Sequence, residues 1–167
     1  MFSLAGKKAL VVGIANEDSI AFGCAKAFRA QGADLAITFQ GMKSEPFVRP
    51  IAEKLGTDIV PPLSVRESGQ FGQLFDSIRQ IWGQVDICLH SIPVCPKDDL
   101  HARVVDCSRD GFITAMDISV YSFIRMVRRA APVGSEKVVE RDNIMGPVKA
   151  ALAGECRLLG AKFGRAF

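Results

Sequence analysis

The sequence predicts a doubly wound α/β domain on a parallel sheet, and three observations carry that reading. Short apolar runs alternate with longer amphipathic runs as far as residue 131. The first apolar run, Ala9-Leu10-Val11-Val12, ends at Gly13, and an amphipathic run opens behind Ser19. Three polar or glycine-bearing loops, at 13–19, 40–43 and 91–95, each follow an apolar run. Repeated strand–helix units call for right-handed crossovers and parallel pairing. The strand order should begin 3-2-1-4, with a ligand crevice beyond the C-terminal strand ends.

The elements follow in order. Residues 8–13 read as a strand, and 19–31 as a helix stopped by Gly32. Residues 34–39 form a second strand. A helix spans 45–55, with Pro46 tolerable in its first turn and Pro50 awkward for it. The third strand, 58–63, is weakened by Pro61-Pro62, because proline cannot donate to a ladder. Residues 67–82 read as a helix and 85–90 as a fourth strand. A loop covers 91–101, and one long helix covers 106–131 with Ser108 or Asp106 near its cap. A fifth strand should follow, yet Val138-Val139 is the only β-branched pair there and charge flanks it. Residues 143–163 then read as a helix. The expectation is a single shortened dinucleotide-binding domain over 1–167, lacking the fifth and later strands.

Composition narrows the class. The chain has 167 residues, 49% hydrophobic and 23% charged, which suits one globular domain with a real core. No stretch is apolar enough to span a bilayer, and the first residues lack a signal-peptide pattern. Cys24, Cys88, Cys95, Cys107 and Cys156 show no metal-ligand or redox spacing. They read as reduced thiols, mostly core filler, in a cytoplasmic protein, and no metal site is expected. A net charge of +3 would not drive nucleic-acid binding. Residues 121–167 hold 9 basic and 4 acidic side chains, with Arg125, Arg128 and Arg129 close together. That face could meet an acidic partner, but an ordinary solvated helix face is the preferred reading.

The first turn is where chemistry enters. Gly13 lets the backbone turn tightly and approach a pyrophosphate, and Gly23 should let the helix pack close to the strand. Ser19 can cap the helix or donate to a phosphate oxygen. The pattern is not G-x-G-x-x-G, so these residues alone fit a dinucleotide site or a structural turn. His90 and His101 read as structural rather than catalytic.

These residues resemble the NADH-dependent bacterial enoyl-acyl carrier protein reductases of the short-chain dehydrogenase/reductase superfamily, whose sheet is Rossmann-type. The resemblance rests on Gly13-Ile14-Ala15-Asn16 with Ser19-Ile20-Ala21, on Gln40 closing the second strand, and on His90-Ser91-Ile92. Asp117-Ile118-Ser119, Tyr121-Ser122-Phe123, and Asn143-Ile144-Met145-Gly146 ending at Lys149 extend it. It implies that Gly13, Ser19 and Ile20 hold the pyrophosphate region. Gln40 would lie near the adenosine end, and Ser64 and Val65 beside the adenine. Ser91 and Ile92 would line the nicotinamide side, and Cys95 and Met145 the substrate side. Lys149 would be the catalytic lysine, gripping the nicotinamide ribose hydroxyls while its positive charge helps the reaction. With Gln40 and no adjacent Arg, NADH is the implied cofactor.

The implied reaction is hydride transfer from NADH to a trans-2-enoyl thioester on acyl carrier protein. Homo-oligomerisation through helices 106–131 and 143–163 is implied too. The family places a catalytic tyrosine seven positions before its lysine, where this chain has Asp142. An aspartate with an ordinary pKa of about 3.9 is ionised at neutral pH and cannot donate to an enolate. The family's second tyrosine aligns near Pro132, and Tyr121 reads as a packing residue. An alternative expectation is therefore an inactive remnant that binds NAD(H) or a partner subunit.

Overall fold

The computed structural model describes residues 3–130. Its centre is a parallel sheet of β1 (Lys8–Val12), β2 (Asp34–Thr38) and β3 (Ile87–His90), in the order β2-β1-β3. β1 sits in the middle, with Leu10 opposite Ala36 on one side and Cys88 on the other. Its side chains alternate between faces, so Ala9 and Val11 enter one core and Leu10 and Val12 the other. All four are fully buried, which is why this strand reads as an unbroken apolar run.

Helices α1 (Ile20–Ala30) and α2 (Glu45–Leu55) cover the first face. Ala21 and Ala25 of α1 meet Val48, Ile51, Ala52 and Leu55 of α2 there. Gly23 has no part in this approach. It lies on the exposed side of α1, and a Cβ built on it meets nothing within 4 Å. The two alanines bring the helix close instead. Pro50 is accommodated inside α2, which ends at Gly56 with a left-handed φ of 62°. Helix α3 (Ser68–Trp82) covers the second face with Phe71, Leu74, Phe75 and Ile78.

The segment expected as a third strand lies beside β2 but is not a strand. Ile37 N–H donates to Ile59 at 3.0 Å, and Leu63 N–H donates to Phe39 at 2.8 Å. Between those bonds, the register asks position 61 for the next donor, and Pro61 has no N–H. What remains is one parallel bridge, Phe39 to Pro62. Thr57 closes the row from its other end, its hydroxyl donating to the Leu35 carbonyl at 2.5 Å. The expected position beyond β2 is thus correct, and the two prolines account for the lost ladder.

Two further boundaries differ. Residues Lys97–His101, expected as loop, form the short helix α4 behind Pro96, with Asp98 and Asp99 in its first turn. The long helix starts at 109, not 106. Its first part is α5 (Arg109–Met116), where the Ser108 hydroxyl accepts from Gly111 N–H at 2.9 Å. Asp106 lies upstream in a 3-10 turn and pairs with Arg103. The helical path continues through a π turn (Asp117–Tyr121) into α6 (Ser122–Ala130). Ile118 and Met126 seal the second core. The expected missing fifth strand, the helix at 143–163 and Cys156 lie outside the described residues.

Three ion pairs, Lys7–Asp86, Lys8–Asp34 and Arg29–Asp34, gather at the N-terminal ends of the strands. Lys8 bonds Asp34 and holds its carboxyl below the ordinary range. The Lys8 backbone N–H, with Lys7, does the same for Asp86. Among the described residues, no helix is long and apolar enough to cross a membrane.

Candidate functional site

The C-terminal ends of the strands open onto a cleft of about 270 Å³. Gly13, Ile14 and Ala15 enter from the loop after β1. Thr38, Phe39, Gln40 and Ser44 enter from the end of β2 and the turn beyond it. Ser91, Ile92 and Pro93 follow β3, and Leu63 and Val65 close the remaining side. The three loops expected to face one ligand therefore do converge.

Gly13 has a role beyond the tight turn. Its φ is 100°, and a Cβ there would fall on the Ser91 carbonyl oxygen, with the carbonyl carbon 2.8 Å away and Ile92 Cγ1 3.2 Å away. Ser91 N–H donates to the Val12 carbonyl at 2.9 Å, which draws the third loop over the first. Gly13 is thus the point where the two loops cross.

The loop from 13 to 19 is held by its own polar groups. Asn16 Oδ1 accepts from Asp18 N–H at 3.1 Å, an Asx turn. The Ser19 hydroxyl donates to the Asn16 carbonyl at 2.7 Å and accepts from Phe22 N–H at 3.3 Å. Its single proton is engaged, so of its two expected roles the structure shows the cap. Ile20 does not line the cleft and is 80% exposed.

The other expected positions divide. Gln40, Val65, Ser91 and Ile92 line the cleft. Ser64 does not, and its N–H donates to the Gln70 side chain at 2.6 Å. Cys95 is exposed and off the lining, as Cys107 is exposed elsewhere. Two of the described cysteines are therefore not the core filler expected of them, because both fall in surface loops. Lys149, Met145 and Asp142 lie outside the described residues. Ser44 and Thr38 were not anticipated. Ser44 donates to the Gln40 carbonyl at 2.9 Å and so shapes the turn carrying Gln40. A serine just before Glu45-Pro46 is a helix-start signal that could have found it.

His90 stands just behind the cleft as a satisfied structural histidine. Its Nε2 lies 2.6 Å from the Ser122 hydroxyl, and its ring packs edge-on to Phe123. Burial pushes its pKa down, favouring the neutral ring. Tyr121 does not pack as expected. It sits in the π turn and is 51% exposed. Arg125 is also more than a solvated charge. Its guanidinium donates to the Val65 carbonyl at 2.9 Å and lies 5.1 Å from the centre of the Phe71 ring.

No charged side chain lines the cleft among the described residues. An anion there would rely on backbone amides and on the N-terminus of α1, which carries a positive partial charge. The backbone of Gly13, Ile14 and Ala15 along one side and the neutral polar lining fit a dinucleotide.

Comparison with known proteins agrees with this geometry. A family model described as enoyl-(acyl carrier protein) reductase matches residues 13–167. The NADH-dependent enoyl-acyl carrier protein reductase FabI of Aquifex aeolicus is 42% identical over 170 residues, covering 93% of this chain and 63% of that protein. Reductase 2 of Rhizobium meliloti is 37% identical over 172 residues, covering 95% and 64%. The chain spans a little under two thirds of the length of these relatives. The crystal structure of the Aquifex aeolicus reductase superposes with a TM-score of 0.75 at 40% identity, covering 97% of this chain and 70% of that one. That of the Anaplasma phagocytophilum reductase, determined in complex with NAD, superposes at 0.75 with 34% identity, covering 97% and 67%.

Proposed function

The chain belongs to the enoyl-(acyl carrier protein) reductase family, and from that membership we propose that it binds NADH in the cleft and reduces a trans-2-enoyl thioester carried on acyl carrier protein. The observation that carries the reading is the convergence of Gly13, Gln40 and Ser91 at three adjacent strand ends. Bound there, NADH would supply the hydride.

The chain's own residues would divide the work. Gly13 lets the first loop cross under the third and line the cleft where a pyrophosphate would lie, and Ser19 fixes the helix N-terminus behind it. Gln40 offers an amide oxygen to a ribose hydroxyl, and Val65 an apolar wall to the adenine, with Ser64 beside it. Ser91 and Ile92 face the nicotinamide end. Ile20, Cys95, Met145 and Lys149 take their roles from the resemblance alone, Lys149 holding the nicotinamide ribose. The free thiols among the described residues suit a reducing compartment, and with it a cytoplasmic placement.

A second copy of this chain is the proposed neighbour of the long helix. Phe112, Ile113, Val120, Phe123, Ile124 and Val127 are large apolar side chains left exposed along it. A run of that kind marks an interaction face more often than a solvated one. Sedimentation of the purified chain would read a dimer or larger, and a strict monomer would refute this.

One observation favours a second reading. Asp142 stands seven residues before Lys149, where the family has a tyrosine. A carboxylate there would repel an enolate and pair with the lysine. The two readings separate in a pair of measurements on the full chain. Loss of NADH absorbance with an enoyl thioester supports the reductase. NADH fluorescence that responds to the protein, without turnover, supports a binding-only chain. No response in either assay refutes both.

A further inference from the structure

The helical path between α5 and α6 is broken by the π turn, where Ser122 N–H reaches the Asp117 carbonyl five residues back. Such a turn holds one more residue than an α-helical turn and often sits at a functional site. The π turn and the first residue of α6 each present a serine to one loop. The Ser119 hydroxyl accepts from Val94 N–H at 3.1 Å. The Ser122 hydroxyl, fully buried, donates to the Ile118 carbonyl at 2.5 Å and faces His90 Nε2 at 2.6 Å. With the Ser122 proton on the Ile118 carbonyl, the contact to His90 calls for the tautomer that carries its proton on Nε2.

His90 and Val94 bracket Ser91, Ile92 and Pro93, the residues of this loop that line the cleft. Both ends of the cleft wall are therefore fastened to one helical turn. Residues three apart lie on one face of a helix, so Ser119 and Ser122 reach the two ends of the same loop.

We infer that Ser119 and Ser122 are positioning residues that set the wall formed by 91–93. The ligand they set it for rests on the cofactor reading above; the fastening itself is independent of that reading. The fastening acts through the backbone of Ser91 and Ile92, and neither serine lines the cleft.

The test uses the full chain with Ser119→Ala, Ser119→Thr and Ser122→Ala, read in two ways. Without ligand, amide hydrogen exchange of Ser91 and Ile92 should quicken about five- to tenfold in both alanine variants, the scale of one lost hydrogen bond. Ser119→Thr keeps the hydroxyl and should restore the slow rate. Leu10 and Ile37 amides should not change. With ligand, the alanine variants should weaken NADH by a similar factor while leaving ADP-ribose, which lacks the nicotinamide, unaffected. Unchanged exchange at Ser91 and Ile92 overturns the inference. So does a uniform rise that includes Leu10 and Ile37, which would mean general loss of stability. Faster loop exchange in a chain that binds neither nucleotide upholds the fastening and refutes the cofactor reading alone.

Discussion

Replacing Gly13 by alanine tests the crossing of the first and third loops most directly. Two effects add. At a φ of 100°, a Cβ strains the backbone, which for an L-residue costs about 1–2 kcal/mol. The same Cβ lands on the Ser91 carbonyl, which is backbone and held to Val12, so it cannot swing aside like a side-chain tip. Forcing one carbon into such a packed site costs about 1–3 kcal/mol. The sum is about 2–5 kcal/mol, a large share of the roughly 5–15 kcal/mol that holds a domain folded. With a urea m-value of about 2 kcal/mol/M, the unfolding midpoint should fall by about 1–2.5 M. Gly6→Ala supplies the comparison. Gly6 has a φ of 77°, but a Cβ on it meets nothing within 4 Å, so only the strain applies. Its midpoint should fall by about 0.5–1 M. Circular dichroism in urea measures both. Equal shifts in the two variants would refute the claim that close approach makes Gly13 necessary.

Other outcomes follow from the same structure. Leu10→Ala should cost about 2–5 kcal/mol in the same assay, because Leu10 is fully buried at the centre of the sheet. His90 has a folded-state pKa pushed below 6.5 by burial, so the unfolded chain binds the extra proton first. Its contribution is complete above that value and is lost as pH falls through the folded pKa; His90→Gln should flatten stability against pH in the window opening just below 6.5. Burial pushes the Cys88 thiol up to about 11. In native protein at mildly alkaline pH, mass-mapped alkylation should label the exposed Cys95 and Cys107 well before Cys88; early labelling of Cys88 would contradict its burial.

The sheet was legible because each strand announces itself by short-range chemistry. Ala9 to Val12 and Leu35 to Ile37 are apolar on both faces and end at a turn, as buried parallel strands do. Pro61-Pro62 also declared in advance that the segment beside β2 would pair poorly. What escaped depends on space or on single-residue phase. Gly23 looked like a contact glycine, but the faces of α1 differ by only one position, and the alanines on either side make the contact. The π turn escaped because one extra residue inside a helix barely disturbs an apolar period. Cys95 and Cys107 were placed by composition, and loop exposure is set by the path of the chain. In the cleft, Gly13, Gln40, Val65, Ser91 and Ile92 were found, while Ser44 needed the turn after β2 to bring it back.

The paired prolines beside β2 also bear on how the molecule behaves among its own copies. Along an extended segment, successive nitrogens point to opposite sides. Pro61 withholds its donor from β2, and Pro62 therefore withholds one from the outward side. A strand arriving at this flank would find a gap in the row of N–H groups it needs. The residues that spoil the third strand thus also guard the flank against edge-to-edge stacking, the route by which exposed sheet margins seed aggregation.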